Sequence, residues 1–146
     1  MKRATFVVLL GLASMLTLSA CASFHVRPPV PSRQIVVSGF EVVYGNQIPG
    51  DRLRLLDRYQ VPGHMAAALR ASYPAGQGPF VRVILTQFRS GRWGPTRMHA
   101  VVQVLDPAQN VLAQFDTDST TIRGGDRGGR IQAVAQDIVN QVAAQL

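Results

Sequence analysis

The chain has one cysteine, one lysine, one glutamate and one tryptophan in 146 residues. Each scarcity removes a class of explanation. Without a second cysteine no intrachain disulfide can form, and cysteine-based zinc sites are excluded. The three histidines, His25, His64 and His99, show no HExxH or other ligand spacing. Glu41 stands alone, and the aspartates fall mostly in turns or on strand-like segments, so no pair of acids suggests acid–base catalysis. No glycine-rich stretch closes on Gly-Lys-Ser or Gly-Lys-Thr, which excludes a Walker loop. The fold must therefore rest on its hydrophobic core, and an apolar fraction of 47% is enough to build one.

What is present begins with a leader. Lys2 and Arg3 form a positive start, and Phe6 to Leu18 is apolar apart from small or weakly polar residues. The run is too short and too early for a transmembrane span and reads as a targeting segment. It ends in Leu18-Ser19-Ala20-Cys21, which resembles the lipobox of bacterial lipoproteins. The resemblance implies cleavage between Ala20 and Cys21, a diacylglycerol on the Cys21 thiol and a third acyl chain on the freed amine. Each buried CH₂ contributes about 0.8 kcal/mol, so two or three chains hold a protein on a membrane essentially permanently. Ala22, rather than aspartate, follows the cysteine. By resemblance to the sorting rule of enteric bacteria this favours the outer membrane, with the domain facing the periplasm. The expected organisation is a signal peptide at 1–20, a lipidated cysteine and proline-rich tether at 21–34, and one domain at 35–146.

The basic set is almost all arginine. Lys2 leaves with the leader, and the remaining part carries a net charge of about +5. GC-rich coding accounts for such a bias, and so does attraction to anionic envelope lipids or glycans, whose phosphates suit the guanidinium fork. The arginines are spread rather than interleaved with aromatics, which argues against nucleic acid as a partner.

Along the chain, Pro28, Pro29 and Pro31 mark the tether. Ile35–Tyr44 reads as a strand. Gly45, Asn46, Pro49 and Gly50 mark a loop, and the leucines at 53, 55 and 56 leave 51–60 ambiguous. Pro62–Tyr73 reads as a helix, with Pro62 in its first turn. Phe80–Phe88 is a strand with Val81, Val83 and Leu85 on one side and Arg82, Ile84 and Thr86 on the other. Thr96–Leu105 and Val111–Ile122 form a hairpin closed by Asp106-Pro107-Ala108-Gln109-Asn110. Pairing Val104 with Val111 buries Met98, Ala100, Val102, Val104, Val111, Ala113 and Phe115, and sets His99 opposite Asp116 and Arg97 opposite Asp118. Such charge pairs contribute about 0.2–1 kcal/mol and fix register. Ile131–Leu146 is the strongest helix, with Ile131, Val134, Ala135, Ile138, Val142 and Leu146 in one stripe. The expected fold is α+β: a two-layer sandwich of a mainly antiparallel sheet of about four strands with two helices on one face, in the order β-α-β-β-β-α.

From Phe80 onward the pattern is similar to a group of small bacterial lipoproteins of the domain-of-unknown-function type. The features are Val81-Arg82-Val83-Ile84-Leu85, Val102-Gln103-Val104-Leu105-Asp106, Val111-Leu112-Ala113-Gln114-Phe115, a glycine loop and a closing alanine-rich helix. The resemblance implies an envelope accessory or assembly lipoprotein and carries no catalytic residues.

Two surfaces are candidates for function. Arg82, Arg97 and His99 share the outer sheet face, and Trp93 sits at a hairpin tip. That tryptophan reads equally as a contact residue or as a cover over the sheet edge. The loop Arg123-Gly124-Gly125-Asp126-Arg127-Gly128-Gly129-Arg130 could bind an anion through backbone amides at a helix start, with Arg123, Arg127 and Arg130 adding charge, or could be a turn capped by Asp126. The expectation is a non-enzymatic, lipid-anchored envelope protein that binds another envelope protein, the alternative being a binder of anionic lipid or glycan phosphate. No cofactor, metal site or catalytic residue is expected.

Overall fold

The computed structural model describes residues 24–146, so Cys21 and the leader lie outside the described residues. β1 (Val37–Tyr44) leads into α1 (Gly50–Arg58), which begins after Pro49 and buries Leu55 and Leu56. Gln60 takes a left-handed conformation (φ 49°), and the chain turns there into α2 (Val61–Ser72). Pro62 sits in the first turn of α2, where no amide donor is needed. The ambiguous stretch is therefore helical over Gly50–Arg58 and turns at Tyr59 and Gln60. Its leucines pack against α2 and the sheet, which supplies the burial that the sequence pattern alone did not specify.

β2 (Ala75–Ser90), β3 (Thr96–Leu105) and β4 (Val111–Thr121) follow, and α3 (Arg127–Gln145) completes the order. The sheet runs β1-β2-β3-β4. β2, β3 and β4 are antiparallel, whereas β1 lies parallel to β2. A parallel pair needs a long crossover, and α1 with α2 provides it. The architecture is the expected α+β sandwich, with three helices rather than two. Among the described residues no helix is long and apolar enough to cross a membrane.

All three helices belong to one layer. Val81, Val83, Leu85 and Phe88 of β2, and Met98, Ala100 and Val102 of β3, are buried beneath it. The expected α3 stripe is buried at Ile131, Val134, Ala135, Ile138 and Val142, and Val139 and Ala143 are buried too. The second buried side exists because α3 is covered beyond the sheet.

That extra cover is the segment expected to be a free tether. From Phe24 it lies along α3. The His25 amide donates to Gln132 Oε1 at 2.9 Å, and the Arg27 amide donates to Gln136 Oε1 at 2.7 Å. Gln136 Nε2 donates back to the Arg27 carbonyl at 3.0 Å. Ser72 Oγ donates to the Pro29 carbonyl at 2.7 Å, and the Ser32 amide donates to the Ala143 carbonyl at 3.1 Å. Val26 is buried in the core cluster. Proline-rich backbone is already extended, so little entropy is lost when it docks. Phe24–Ser32 is thus a strap across the helical layer and not a spacer.

The β3–β4 hairpin differs from expectation in register. Leu105 pairs with Val111 and Val104 with Ala113, with a bulge between them. The Asp106 carboxylate fixes the turn by accepting from the Asn110 amide at 2.8 Å and from Asn110 Nδ2 at 2.9 Å. Gln109 takes a positive φ of 67° to close it. The bulge and the tighter closure together move the pairing by two residues. The faces are kept, because two residues is one full strand period. The partners change: His99 faces Asp118, Arg97 faces Thr120, and Val101 faces Asp116. Val111, expected in the core, is 51% exposed, and Ala113 is also exposed. The helical layer covers β4 at Thr117 and Ser119 instead.

Two outcomes test these features. Gln136→Ala removes both bonds to the Arg27 backbone and should cost about 1–2 kcal/mol in urea denaturation, with faster trypsin cleavage after Arg33, at the exposed end of the strap. Unchanged cleavage would show that the strap is not held there. The Asn110 bonds hold the Asp106 carboxyl below its usual range. Its contribution to the turn is therefore present above the ordinary aspartate pKa and lost as pH falls through the lowered value. Protection of the Asn110 amide from exchange should follow that acid limb.

Candidate functional site

The helical layer covers one side of the sheet and leaves the other open. Strand pairing arranges that open side in rows. Glu41, Arg82, Gln103 and Gln114 form one row across the four strands. Val43, Ile84, Val101 and Asp116 form the next. His99 lies between Gln87 and Asp118 in the third, and Arg97 between Arg89 and Thr120 in the fourth.

The second row gives this face its character. Val43, Ile84 and Val101 are half-buried, and among the described residues no element packs above them. Polar groups frame them, and most of those groups are paired with one another. Arg82 forms an ion pair with Glu41 and donates to Gln109 Oε1 at 3.3 Å. Gln103 Nε2 donates to Gln114 Oε1 at 3.0 Å. The Thr86 hydroxyl and His99 Nδ1 are 2.7 Å apart. Arg97 donates through Nε and Nη2 to the two oxygens of Asp118, at 3.1 and 3.3 Å. Thr86, His99 and Asp118 thus lie in the order hydroxyl, imidazole, carboxylate. Asp118 is committed to Arg97, so the row does not form a proton relay of the triad kind. An apolar strip within a satisfied polar frame matches the anatomy of a protein-binding surface.

At the Arg97 end the face runs into a cleft of about 740 Å³ between the β1–α1 loop and the ends of β2 and β3. Arg52, Arg89 and Arg97 line it, with Gln47, Phe88 and Thr120. Arg52 Nη1 donates to the Phe88 carbonyl at 3.1 Å and so fixes α1 to the sheet.

The β2–β3 hairpin tip lies close to this cleft and carries Trp93. The indole is 89% exposed and does not fold over the sheet edge; the Arg92 guanidinium lies 5.6 Å from its ring centre. The tip is held from α3. Arg130 is only 7% exposed, yet among the described residues no carboxylate is paired with it. Its Nη1 donates to the Gly125 carbonyl at 2.9 Å, and its Nη2 donates to the Gly91 and Arg92 carbonyls at 3.0 Å each. Its Nε is buried without a partner among the described residues. Arg127 adds a second link by donating from Nη2 to the Ser90 carbonyl. A planar fork with several donors can bridge two loops in this way, which a lysine ammonium cannot.

The glycine loop is therefore a joint. Gly124 has φ +119°, and a Cβ on Gly129 would meet the Gly124 carbonyl at 1.9 Å, so both positions require glycine. Asp126 caps α3 by accepting from the Gly129 amide at 2.8 Å, which places a carboxylate where an anion would bind. Arg123 is exposed, and its backbone exchanges hydrogen bonds with the Thr121 hydroxyl. The structure thus does not gather Arg123, Arg127 and Arg130 around one point, because the guanidinium of Arg130 is consumed by carbonyls. It does place Arg82, Arg97 and His99 on one surface, with Trp93 on the adjoining tip.

Sequence reasoning missed the Val43–Ile84–Val101 row. The signal was present, since all three are apolar residues on the outward phase of their strands. It also missed Arg54 and Arg58, which lie in the segment left ambiguous. Among the described residues no three His, Cys, Asp or Glu side chains are grouped to hold a metal.

No family model matches the chain, and no curated protein matches it. Solved structures do resemble it. The PelC dodecamer from Paraburkholderia phytofirmans is 13% identical with a TM-score of 0.49, covering 82% of this chain and 93% of that one. A Xanthomonas campestris protein of the DUF330 family model is 10% identical with a TM-score of 0.48, covering 83% and 88%. A Caulobacter crescentus protein provisionally described as a lipoprotein is 23% identical with a TM-score of 0.28, covering 74% and 81%. None of these likenesses assigns a role to a residue here.

Arg130→Leu should destabilise the protein by about 2–4 kcal/mol in urea, because three carbonyls lose a charged donor. Arg130→Lys should recover little of that loss. A wild-type midpoint in Arg130→Leu would contradict the clamp.

Proposed function

We propose that this chain is a lipid-anchored envelope lipoprotein of bacteria whose domain binds another envelope protein through the open face of its sheet. The leader and the Cys21 motif support anchoring, and Ala22 supports an outer-membrane destination with the domain on the periplasmic side. The observation that carries the binding reading is the Val43–Ile84–Val101 row. Three apolar side chains cross three strands on a face that no other element covers among the described residues. Arg82, Arg97 and His99 surround the row, and Trp93 extends the surface at the hairpin tip. Tryptophan and arginine are frequent anchors in protein interfaces. The paired charges give orientation and specificity more than affinity. On this reading the protein is an accessory or assembly factor and performs no chemistry of its own.

In-cell crosslinking followed by pull-down of the lipidated protein tests it. A discrete envelope partner should be recovered with wild type. Ile84→Asp and Trp93→Ala should each lower its recovery by about ten-fold, a loss on the scale of one interface anchor. Circular dichroism should show both variants folded. Cys21→Ser should abolish membrane fractionation. Full partner recovery by folded Ile84→Asp would remove the sheet face as the contact.

A further inference from the structure

We infer that Arg54, Arg58 and Arg127 form a contact for the phosphates of anionic lipid headgroups, so that the end of the domain where the strap begins rests on the membrane surface. This goes beyond the sheet-face reading and uses a different surface. Its geometry rests on anchoring through Cys21.

Arg54 and Arg58 are one turn apart on α1 and share a face. Arg127, in the first turn of α3, joins them around an open cleft of about 330 Å³. All three side chains are exposed. Asp51 is the one carboxylate lining the cleft, and Arg52 also lines it while bonding to the Phe88 carbonyl. The nearby acids are otherwise engaged: Asp57 accepts from the Tyr44 hydroxyl at 2.8 Å, and Asp126 caps α3. Among the described residues the ion pairs are those of Arg82 and Arg97, so Arg54 and Arg58 have no carboxylate partner. Arg54 and Arg58, joined by Arg127, whose guanidinium also donates to Ser90, face a single acid and make a site for phosphate, which arginine binds through parallel N–H donors.

The position of the cleft points to a membrane source for that phosphate. Tyr59 directly follows Arg58, and its ring centre is 5.6 Å from that of Phe24, where the described chain begins. A Cβ on Gly128, next to Arg127, would lie 3.0 Å from the Tyr59 hydroxyl. The start of the strap, Arg58 and Arg127 therefore share one patch of surface. Cys21 is three residues before Phe24, and three residues span at most about 11 Å. A domain held on so short a leash must set this patch against the headgroups. Arginines at an anionic surface contribute about 1 kcal/mol each and act only within a Debye length.

The test uses the full-length lipidated protein reconstituted into vesicles of phosphatidylcholine alone, or with about one-third phosphatidylglycerol as the anionic component. Arginines are modified with phenylglyoxal and each site is read by mass spectrometry. Arg54, Arg58 and Arg127 should react at least about three-fold more slowly in the anionic vesicles, and the protection should fade with salt. Arg33 and Arg92, both exposed, should react equally in the two. Equal rates at Arg54, Arg58 and Arg127 would overturn the inference. Equal protection by inorganic phosphate beside neutral vesicles would also overturn it, in favour of a soluble phosphate ester. The intact mass at Cys21 reads the anchor separately, so failure of the anchor and failure of the headgroup contact are distinguishable.

Discussion

The packing of α3 on β3 and β4 decides which surface this protein offers. Ile131, Val134, Ile138 and Val142 share one core with Met98, Ala100 and Val102. A single helical layer can bury only one side of a four-stranded sheet, because strand side chains alternate between two faces. The other side must then be satisfied by its own neighbours. Glu41–Arg82, Arg97–Asp118, Gln103–Gln114 and Thr86–His99 supply those contacts. Val43, Ile84 and Val101 are left with partial cover, and the proposed partner contact rests on that apolar surface.

The same helix governs both ends of the molecule. At its start, Arg130 and Arg127 hold the β2–β3 tip through the carbonyls of Gly91, Arg92 and Ser90. An arginine buried without a carboxylate is tolerable only where several carbonyl dipoles converge on it, so Arg130 and the loop geometry depend on each other. Along its length, Gln132 and Gln136 bind the strap through its backbone. The strap therefore fixes Phe24–Ser32 along the helical layer, opposite the open face of the sheet.

Much of this was legible from residues alone. The strand alternation at 81–86 and the stripe at 131–142 report burial directly, since one apolar face per element is the dominant local signal. The strap was not legible, because Pro28, Pro29 and Pro31 specify an extended backbone but not what it lies on. The hairpin register was not legible either: the bulge beside Leu105 follows from Asp106 and Asn110 closing the turn, and alternation is unchanged by a two-residue shift. For the candidate site, Arg82, Arg97, His99 and Trp93 could be placed by strand phase and turn position. The role of Arg130 could not, because its three acceptors come from segments about 5 and nearly 40 residues away, and no local pattern encodes that meeting.

The most direct test is site-specific photocrosslinking in living cells, with the photoreactive residue placed in turn at Ile84 on the open sheet face and at Asn140 on the outer side of α3. The account predicts a discrete crosslinked envelope protein from position 84 and none from position 140. Crosslinking from position 140 with none from position 84 would contradict it, since the partner would then sit on the helical layer and the open face would have no part in binding.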